Sequence, residues 1–180
     1  MKTPMTLVLL LILVPTASAQ KAGPAELSAL DYFQIQQLVA KYARAIDTCS
    51  NNGYDYADLF TPDGFFAPSM NGKVELKFQG RERLAEVSGG GAQGCNNVPW
   101  IKEGVRHIYV NHIITPTAEG AAGTVDMLMI GLGGDPNKIE HDGYYEDVYV
   151  RTPSGWRFKS RTHHALLNQG KRVTPEPAKR

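Results

Sequence analysis

The amino-acid sequence predicts an α+β fold, with helices near the amino terminus and a sheet in the carboxy-terminal half. Residues 29–47 repeat apolar side chains at helical intervals. Four later segments, 105–115, 121–132, 139–151 and 155–167, have the pattern of strands separated by Gly, Pro or Asn. Helices followed by a run of consecutive strands are typical of an α+β layer fold.

The first helix has recognisable ends. Ser28 and Asp31 have the spacing of an N-cap with an acidic first turn, and the Ser50–Gly53 cluster predicts an end near Cys49. The sequence also predicts helices over 54–60 and 80–88, and two strands, 65–69 and 74–78, joined by an Asn71-Gly72 turn. The glycine-rich segment 89–99 lacks a preceding strand and a following Gly-Lys-Ser/Thr, so it is interpreted as a lid or connector.

The amino terminus predicts export. Lys2, the apolar run 7–14 and the small residues Ala17-Ser18-Ala19 form a secretory signal peptide, residues 1–19, cleaved after Ala19. Eight apolar residues are too short for a membrane span, which needs about 20, so no membrane association is expected after cleavage. The chain is predicted to be secreted or periplasmic, with one domain over 20–168 and a disordered basic tail over 169–180.

The balance of charges limits the classes of partner that the chain can bind. The chain carries 19 Lys and Arg against 18 Asp and Glu, and loss of Lys2 with the signal peptide makes the two counts equal. A neutral domain without a basic block offers little to a phosphate backbone, so nucleic acid is excluded as a partner.

Cys49 and Cys95 are the only two cysteines, and export favours a disulfide between them over two buried thiols.

The segment 105–117 has an unusual polar face. His107, Tyr109 and Asn111 alternate along it, and residues two apart in a strand share a face. The opposite face carries Ile108, Val110, His112 and Ile114, which is too apolar to meet water unaided. We therefore expect the first face to line a pocket and the second to form a homo-oligomer interface, in a dimer or a trimer.

Three segments carry a family resemblance: "YARAIDTCSNNGYDYADLFTPDGFF", "RHIYVN" and "GYYEDVYVRTPSGWRF". In this order they resemble the SnoaL-like group of the NTF2-like superfamily, over about residues 26–168. The resemblance implies a cone, in which a strongly curved antiparallel or mixed sheet wraps around a pocket and the N-terminal helices close one side. The group contains dehydratases, isomerases, cyclases and non-catalytic binding domains, so the fold alone does not decide the function.

The resemblance also implies a site. Scytalone dehydratase and bile acid 7α-dehydratase carry an aspartate at the end of the first helix and a histidine at the start of the third strand, which match Asp47 and His107. The bile acid enzyme has a tyrosine that matches Tyr42. A second histidine of scytalone dehydratase falls where this chain has the apolar residues 128–130, and its pocket asparagine falls near Tyr145.

The chemistry of these residues supports catalysis. His107 is the residue type that titrates near neutrality, and a carboxylate from Asp47 would fix its tautomer and leave the other ring nitrogen as a base. Alternatives stay open: His107 as a structural residue, Asp47 paired with Arg106 or Arg44, and Tyr42 as core filling. Four residues are candidates for substrate binding: Tyr109, Asn111, Tyr145 and Phe65.

Metal sites and serine hydrolases are poorly supported. His107 and His112, like His163 and His164, lie on opposite faces of a strand, and there is no metal-binding helix motif. No G-x-S-x-G elbow occurs. The sequence therefore predicts a cofactor-independent lyase of the dehydratase type, with Asp47, His107 and Tyr42 as catalytic residues and an apolar cyclic or aromatic small molecule as substrate. An isomerase and a non-catalytic ligand-binding module are the alternatives.

Overall fold

A computed structural model describes residues 26–70, 73–74, 76–95, 99–165, 167–168 and 171–172. The predicted signal peptide, the Asn71-Gly72 turn and all but residues 171–172 of the predicted tail lie outside these ranges. Within them, no helix is long and apolar enough to cross a membrane.

The first helix, α1 (Ala29–Thr48), has the bounds that the sequence predicts. The Ser28 hydroxyl accepts a hydrogen bond from the Asp31 backbone N–H, and the Asp31 carboxylate accepts from the Ser28 N–H, which completes a capping box. The helix ends at Cys49, whose φ is 47°. Asn51 and Asn52 are also left-handed in the 3₁₀ turn Ser50–Gly53. Asparagine tolerates that conformation better than most residues, so the chain reverses here.

The remaining helices are short. They are α2 (Tyr54–Ala57), α3 (Arg81–Val87) and α4 (Pro99–Glu103). The prediction of a helix over 54–60 is too long, because the first strand already begins at Phe60. The sequence did not predict α4, which follows the glycine-rich segment.

Five long strands form most of the sheet. These are β1 (Phe60–Met70), β4 (Arg106–Thr117), β5 (Gly120–Ile130), β6 (Ile139–Thr152) and β7 (Gly155–Ala165). Short strands are β2 (Lys73–Val74), β3 (Phe78–Gln79), β8 (Leu167–Asn168) and β9 (Lys171–Arg172). The strand order is β2-β1-β7-β6-β5-β4, with β3 paired to β1 and β8 to β9 in a separate ribbon. β1 runs parallel to β7 and the other pairs are antiparallel, so the sheet is mixed and open.

A bulge in β4 corrects one prediction. The pairing of β4 with β5 shifts between Val110 and Ile113, and Asn111 has a φ of 55°. A bulge inserts an unpaired residue and reverses the alternation of side chains beyond it. Asn111 therefore lies on the exposed side, where its amide donates a hydrogen bond to Asp126. His112 and Ile114, predicted to face outward, instead pack toward the core.

The core lies between α1 and the concave face of the sheet. α1 contacts β4 and β7. It contributes the predicted apolar stripe, which is Ile35, Leu38, Val39, Tyr42 and Ile46, and also Ala45. The sheet contributes mainly aromatic residues and valine or methionine, namely Phe60, Phe66, Val125, Met127, Tyr145, Tyr149, Trp156 and Phe158. The predicted α+β cone is confirmed by this arrangement.

A disulfide bond joins Cys49 to Cys95, as predicted. It ties the end of α1 to the glycine-rich segment. The Asn52 amide donates a hydrogen bond of 2.9 Å to the Gly91 carbonyl. Gly90 packs so closely on Asn52 that a Cβ at Gly90 would lie 2.0 Å from the Asn52 carbonyl oxygen. The segment is thus held against the end of α1 as a connector.

Candidate active site

Asp47 and His107 meet where the last turn of α1 faces the start of β4. Asp47 Oδ1 lies 2.6 Å from His107 Nδ1. The backbone N–H of His107 also donates to both carboxylate oxygens, at 3.2 and 3.1 Å. Because β4 is the edge strand, this N–H is available to a side chain. Both residues are 8% exposed.

The contact fixes the proton arrangement of the imidazole. A carboxylate can only accept a hydrogen bond, so Nδ1 of His107 must carry a proton and donate to Asp47. Nε2 of the neutral ring then keeps its lone pair and can act as a base. His107 and Tyr109 both line a groove of about 440 Å³ between α1 and β4. A small molecule in this groove lies next to the imidazole.

Neither arginine that the sequence offered as an alternative partner pairs with Asp47. Arg106 is exposed and donates to the carbonyl oxygens of Gly104 and Val105. Arg44 lines a separate groove on the other flank of α1. Within the described residues, the partner of Asp47 is His107.

Tyr42, on the same helix as Asp47, lies in a cluster of aromatic rings in the core. It is fully buried, and its hydroxyl accepts a hydrogen bond of 3.2 Å from the Tyr56 hydroxyl. The ring centroids of Tyr109 and Tyr145 each lie 5.9 Å from that of Tyr42, in edge-to-face geometry. Burial raises the pKa of the Tyr42 hydroxyl well above its usual value, so Tyr42 stays protonated and can act as a hydrogen-bond donor.

The centre of the cluster is Arg161, which the sequence did not single out. Its side chain is fully buried, and its guanidinium carbon lies 4.0 Å from the ring centroids of both Tyr42 and Tyr145 and 5.0 Å from that of Tyr109. Cations are attracted to aromatic faces at these distances. None of its three side-chain nitrogens has a hydrogen-bond partner among the described residues. The buried guanidinium therefore faces the tyrosine rings, and its N–H groups are available to donate hydrogen bonds.

Among the described residues, the countercharge of Arg161 is the buried carboxylate of Asp147, whose Oδ1 lies 3.4 Å from Nε. The Tyr149 hydroxyl donates to Asp147 Oδ2 at 2.7 Å, and His112 Nε2 lies 3.0 Å from the same hydroxyl. Because the hydroxyl proton is directed to Asp147, Nε2 of His112 must donate to the hydroxyl oxygen. The bulge in β4 turns His112 toward the core, so that it joins this series of hydrogen bonds.

The buried environment raises the pKa of Asp147 and lowers that of His112. Burial raises the pKa of Asp147 to about 6, against the lowering effects of Arg161 and of the Tyr149 hydrogen bond. Burial and the charge of Arg161 lower the pKa of His112 to about 4. Both shifts arise because burial disfavours the charged form of a group. His112 is therefore neutral at physiological pH.

The structure brings together most of the predicted site residues and separates Phe65 from them. Asp47 contacts His107, and the rings of Tyr42, Tyr109 and Tyr145 contact one another. Tyr109 connects the two sets because it lines the same groove as His107. Asn111 is exposed and bonded to Asp126, but it lines the same groove as His107 and Tyr109. Phe65, which was predicted to bind substrate, does not line this groove, and Phe66 is the neighbouring ring that faces the core. Phe65 packs instead against Lys77, whose Nζ lies 4.3 Å from the ring centroid.

His163 is a second site residue that the sequence did not identify. It lies two positions from Arg161 in β7, and its ring centroid is 5.0 Å from that of Tyr145. His164 lies on the other face, as predicted, where it stacks on Tyr144 and bonds to Glu146 at 2.9 Å. Residues two apart in a strand share a face, so the sequence would have indicated that His163 faces inward if the burial of Arg161 had been known.

No group of three or more His, Cys, Asp or Glu side chains converges on a metal-binding geometry in the ranges that the structure describes. The side chain of His141 lies outside the described residues. The carboxylate in contact with His107 is that of Asp47, and the neighbouring aromatic cluster contributes tyrosine hydroxyls and the Arg161 guanidinium.

Comparison with known proteins identifies the family. The family model of the SnoaL-like domain matches residues 28–162. The chain therefore belongs to the SnoaL-like domain family. No protein with a curated description matches the chain significantly.

Solved structures share the fold. An NTF2-like protein with a cystatin-like fold from Novosphingobium aromaticivorans is 21% identical, with a TM-score of 0.58, over 76% of this chain and 82% of the other. Two proteins from the same organism have the same TM-score. A proposed aromatic ring hydroxylase is 23% identical over 79% of this chain and 94% of its own. A proposed scytalone dehydratase is 20% identical over 81% and 90%. At these identities the likeness concerns the fold.

The outer face of the sheet carries exposed apolar side chains. Ile108 and Val110 are exposed as predicted, and the bulge adds Ile113, which is 64% exposed, while Val148 extends the patch onto β6. Of the residues predicted for the homo-oligomer interface, Ile108 and Val110 are exposed, whereas His112 and Ile114 are turned inward. Ile113 is exposed in their place. Occupation of this interface by a second copy stays a prediction.

Proposed function

We propose that this protein is a cofactor-independent lyase of the dehydratase type, acting on an apolar cyclic or aromatic hydroxy ketone. The observation that carries the proposal is the contact between Asp47 and His107 Nδ1 on the wall of a groove large enough for a ring. This contact fixes the tautomer with the proton on Nδ1 and leaves Nε2 as the basic nitrogen, and the same carboxylate also accepts from the backbone N–H of His107.

The first chemical step would be removal of a proton from the carbon next to the substrate carbonyl. His107 Nε2 takes the proton, and the electron pair of the C–H bond moves to form an enolate. Asp47 stabilises the resulting imidazolium, since the charge of the ring then faces a carboxylate at 2.6 Å.

The developing oxyanion needs a donor in a dry environment. Two tyrosine hydroxyls are available. Tyr42 can donate because its oxygen accepts from Tyr56. The buried Tyr109 hydroxyl forms no hydrogen bond of normal geometry within the described part of the chain. The charge of Arg161 acts on both tyrosines, because it opposes the rise that burial causes in their pKa values. Arg161 would thus make each hydroxyl a better donor.

The second step completes an elimination. The enolate electrons form the carbon–carbon double bond as the hydroxyl on the next carbon leaves, and that hydroxyl takes the proton from His107 and departs as water. His107 is neutral again at the end, so no external acid, base or oxidant is consumed. An isomerase would share the first step and return the proton to a different carbon.

The shared first step gives the experiment. The protein is incubated in D₂O with a set of cyclic ketones that carry a β-hydroxyl, and deuterium incorporation and loss of water are followed by NMR and mass spectrometry. We expect exchange and dehydration with the wild type and neither with His107→Ala. His164→Ala, which removes an imidazole from the outer face, is the matched control. Binding of the ketones without exchange would show a ligand-binding module instead.

We also propose that the mature protein works outside the cytoplasm. The Cys49–Cys95 disulfide supports this, because such bonds persist in oxidising compartments. Expression of the full sequence, followed by fractionation and amino-terminal sequencing, should yield a product that begins at Gln20. An intact amino terminus in the cytoplasmic fraction would contradict export.

A further inference from the structure

A second groove lies on the flank of α1 that faces away from β4. Its volume is about 680 Å³, and α1, α2 and the hairpin between β6 and β7 line it. None of Asp47, His107 and Tyr42 belongs to this lining, so the groove is separate from the candidate active site. The inference below does not depend on the proposed function.

The floor of this groove is apolar. Leu38, Ala45 and Trp156 form it, and each is at most 5% exposed because it also packs into the core. Leu59 forms part of one wall, and Phe33 stands at the edge with 55% of its surface exposed. A concave apolar surface with an exposed aromatic ring at its rim suits a flat apolar molecule.

The walls carry an excess of positive charge. Lys41 and Arg44 project from α1 and Arg157 from β7. Within the described residues, none of the three forms an ion pair with a carboxylate. Two carboxylates also line the groove, Asp55 and Asp58.

The two carboxylates do not cancel this charge. Asp58 is bound by both Nε and Nη2 of Arg81, at 2.6 and 2.9 Å, and Arg81 lies outside the groove. The charge of Arg157 also acts on Asp58, where it helps to lower the pKa of that carboxyl. Among the described residues that line the groove, Asp55 is the remaining carboxylate beside Lys41 and Arg44. Charged groups that lack partners beside an apolar surface favour a ligand of opposite charge.

We infer that this groove binds an amphipathic organic anion, with an aromatic or aliphatic body on the Leu38–Trp156 floor and a carboxylate or sulfonate at Lys41 and Arg44. These two cations are three residues apart on one helix face, so a single anionic group can contact both. Arg157 approaches the same space from the opposite side of the floor.

The test uses the aromatic sulfonate 8-anilinonaphthalene-1-sulfonate, whose fluorescence rises in apolar surroundings, and its neutral analogue N-phenyl-1-naphthylamine. Wild type is compared with Lys41→Gln/Arg44→Gln and with Lys73→Gln/Lys77→Gln. The second pair removes the same charge from exposed residues of the β2–β3 side that do not line the groove. Thermal unfolding of each variant shows that the probe meets a folded protein.

We expect saturable binding of the sulfonate to the wild type, weakened about tenfold in Lys41→Gln/Arg44→Gln and less than about twofold in the control pair. The neutral analogue should bind more weakly and respond equally to both pairs. His107→Ala, in the other groove, should leave the affinity unchanged. No saturable binding, equal losses in the two pairs, or a loss confined to His107→Ala would each overturn the inference.

Discussion

The carboxylate of Asp47 binds His107 twice, once at Nδ1 of the ring and once at the backbone N–H of the same residue. One side chain thus orients an imidazole and also satisfies a donor on the edge strand of the sheet. The two roles depend on different properties of Asp47. Hydrogen bonding to the backbone needs only an acceptor oxygen, whereas stabilising an imidazolium needs the negative charge.

Asp47→Asn should separate these roles. The amide keeps one oxygen for the backbone N–H but loses the charge, so we expect little change in thermal stability. Turnover, or the rate of deuterium exchange into a ketone, should fall by a factor of about 10² to 10⁴. The measurement is kcat/KM on whichever ketone the exchange experiment identifies.

His107→Ala should cost a similar factor, and the double variant little more, since residues that act as a unit are non-additive. Equal rates for wild type and His107→Ala would contradict a role for this imidazole in the chemistry. Multiplicative losses in the double variant would show that the two residues act independently.

Replacement of Arg161 by methionine should strongly destabilise the fold. The substitution leaves the buried Asp147 carboxylate without its countercharge, which typically costs about 3–5 kcal/mol. Arg161→Met/Asp147→Asn should recover most of that loss because no unpaired charge remains. Urea unfolding near pH 8 measures both variants.

The deficit of Arg161→Met should depend on pH. The pKa of Asp147 is already raised to about 6 in the folded protein, and loss of Arg161 raises it further. The unfolded pKa of this carboxyl is 3.8, below its folded pKa. Its protonation therefore contributes stability that is fully present below pH 3.8 and is lost as the pH rises through the folded pKa. The single variant should therefore approach the wild type at pH 4 to 5. A double variant no more stable than the single one would contradict the ion-pair explanation.

His112 should make the wild type sensitive to acid. Its pKa falls from 6.5 to about 4 on folding, so the folded state favours the neutral ring. The resulting stability is present above pH 6.5 and is lost as pH falls toward about 4. His112→Gln can still donate to Tyr149 and does not titrate. Relative to wild type, it should gain about 1–2 kcal/mol between pH 7 and pH 4, a range already reduced for the partial exposure of the ring.

The opposite trend of Asp147 is present in both proteins and cancels in this comparison. Chemical unfolding at four or five pH values checks the prediction. Parallel stability curves for wild type and His112→Gln would show that the ring does not titrate in this range.

Loss of the disulfide should lower stability without changing the fold. The bond spans 46 residues, for which chain entropy gives a contribution of about 4 kcal/mol at most. Cys49→Ser/Cys95→Ser should unfold at lower urea concentration than the oxidised wild type. The mass of protein taken from the periplasm or medium should be two hydrogens below the reduced value. Two thiols that react with an alkylating agent in that material would contradict the bond.

Residues with a regular pattern were predictable from the sequence. The capping box of Ser28 and Asp31, the apolar stripe of α1 and the four strands from 106 onward all follow from local periodicity and turn residues. The pairing of Cys49 with Cys95 followed from their number and from the predicted export. The contact between Asp47 and His107 was predicted through a family resemblance, because nothing local links residues 60 positions apart.

The errors concern register and long-range packing. Asn111 continues the alternation of β4 in sequence, but the bulge depends on how β5 aligns with β4. The choice between Phe65 and Phe66 depends in the same way on the parallel register with β7, where Phe66 pairs with Arg161. An arginine in a strand usually faces solvent, and only the three-dimensional meeting of Tyr42, Tyr109 and Tyr145 shows why Arg161 can be buried.

The position of the disulfide also affects the connection between the two site residues. Asp47 precedes Cys49 in the chain and His107 follows Cys95, so the bond bypasses 46 of the 60 positions that separate them. A single backbone cut anywhere between the cysteines would leave Asp47 and His107 in one covalently connected molecule. A protease could thus cleave the segment that carries α2, β1 and α3, and the fragment with His107 would still be covalently joined to the fragment with Asp47.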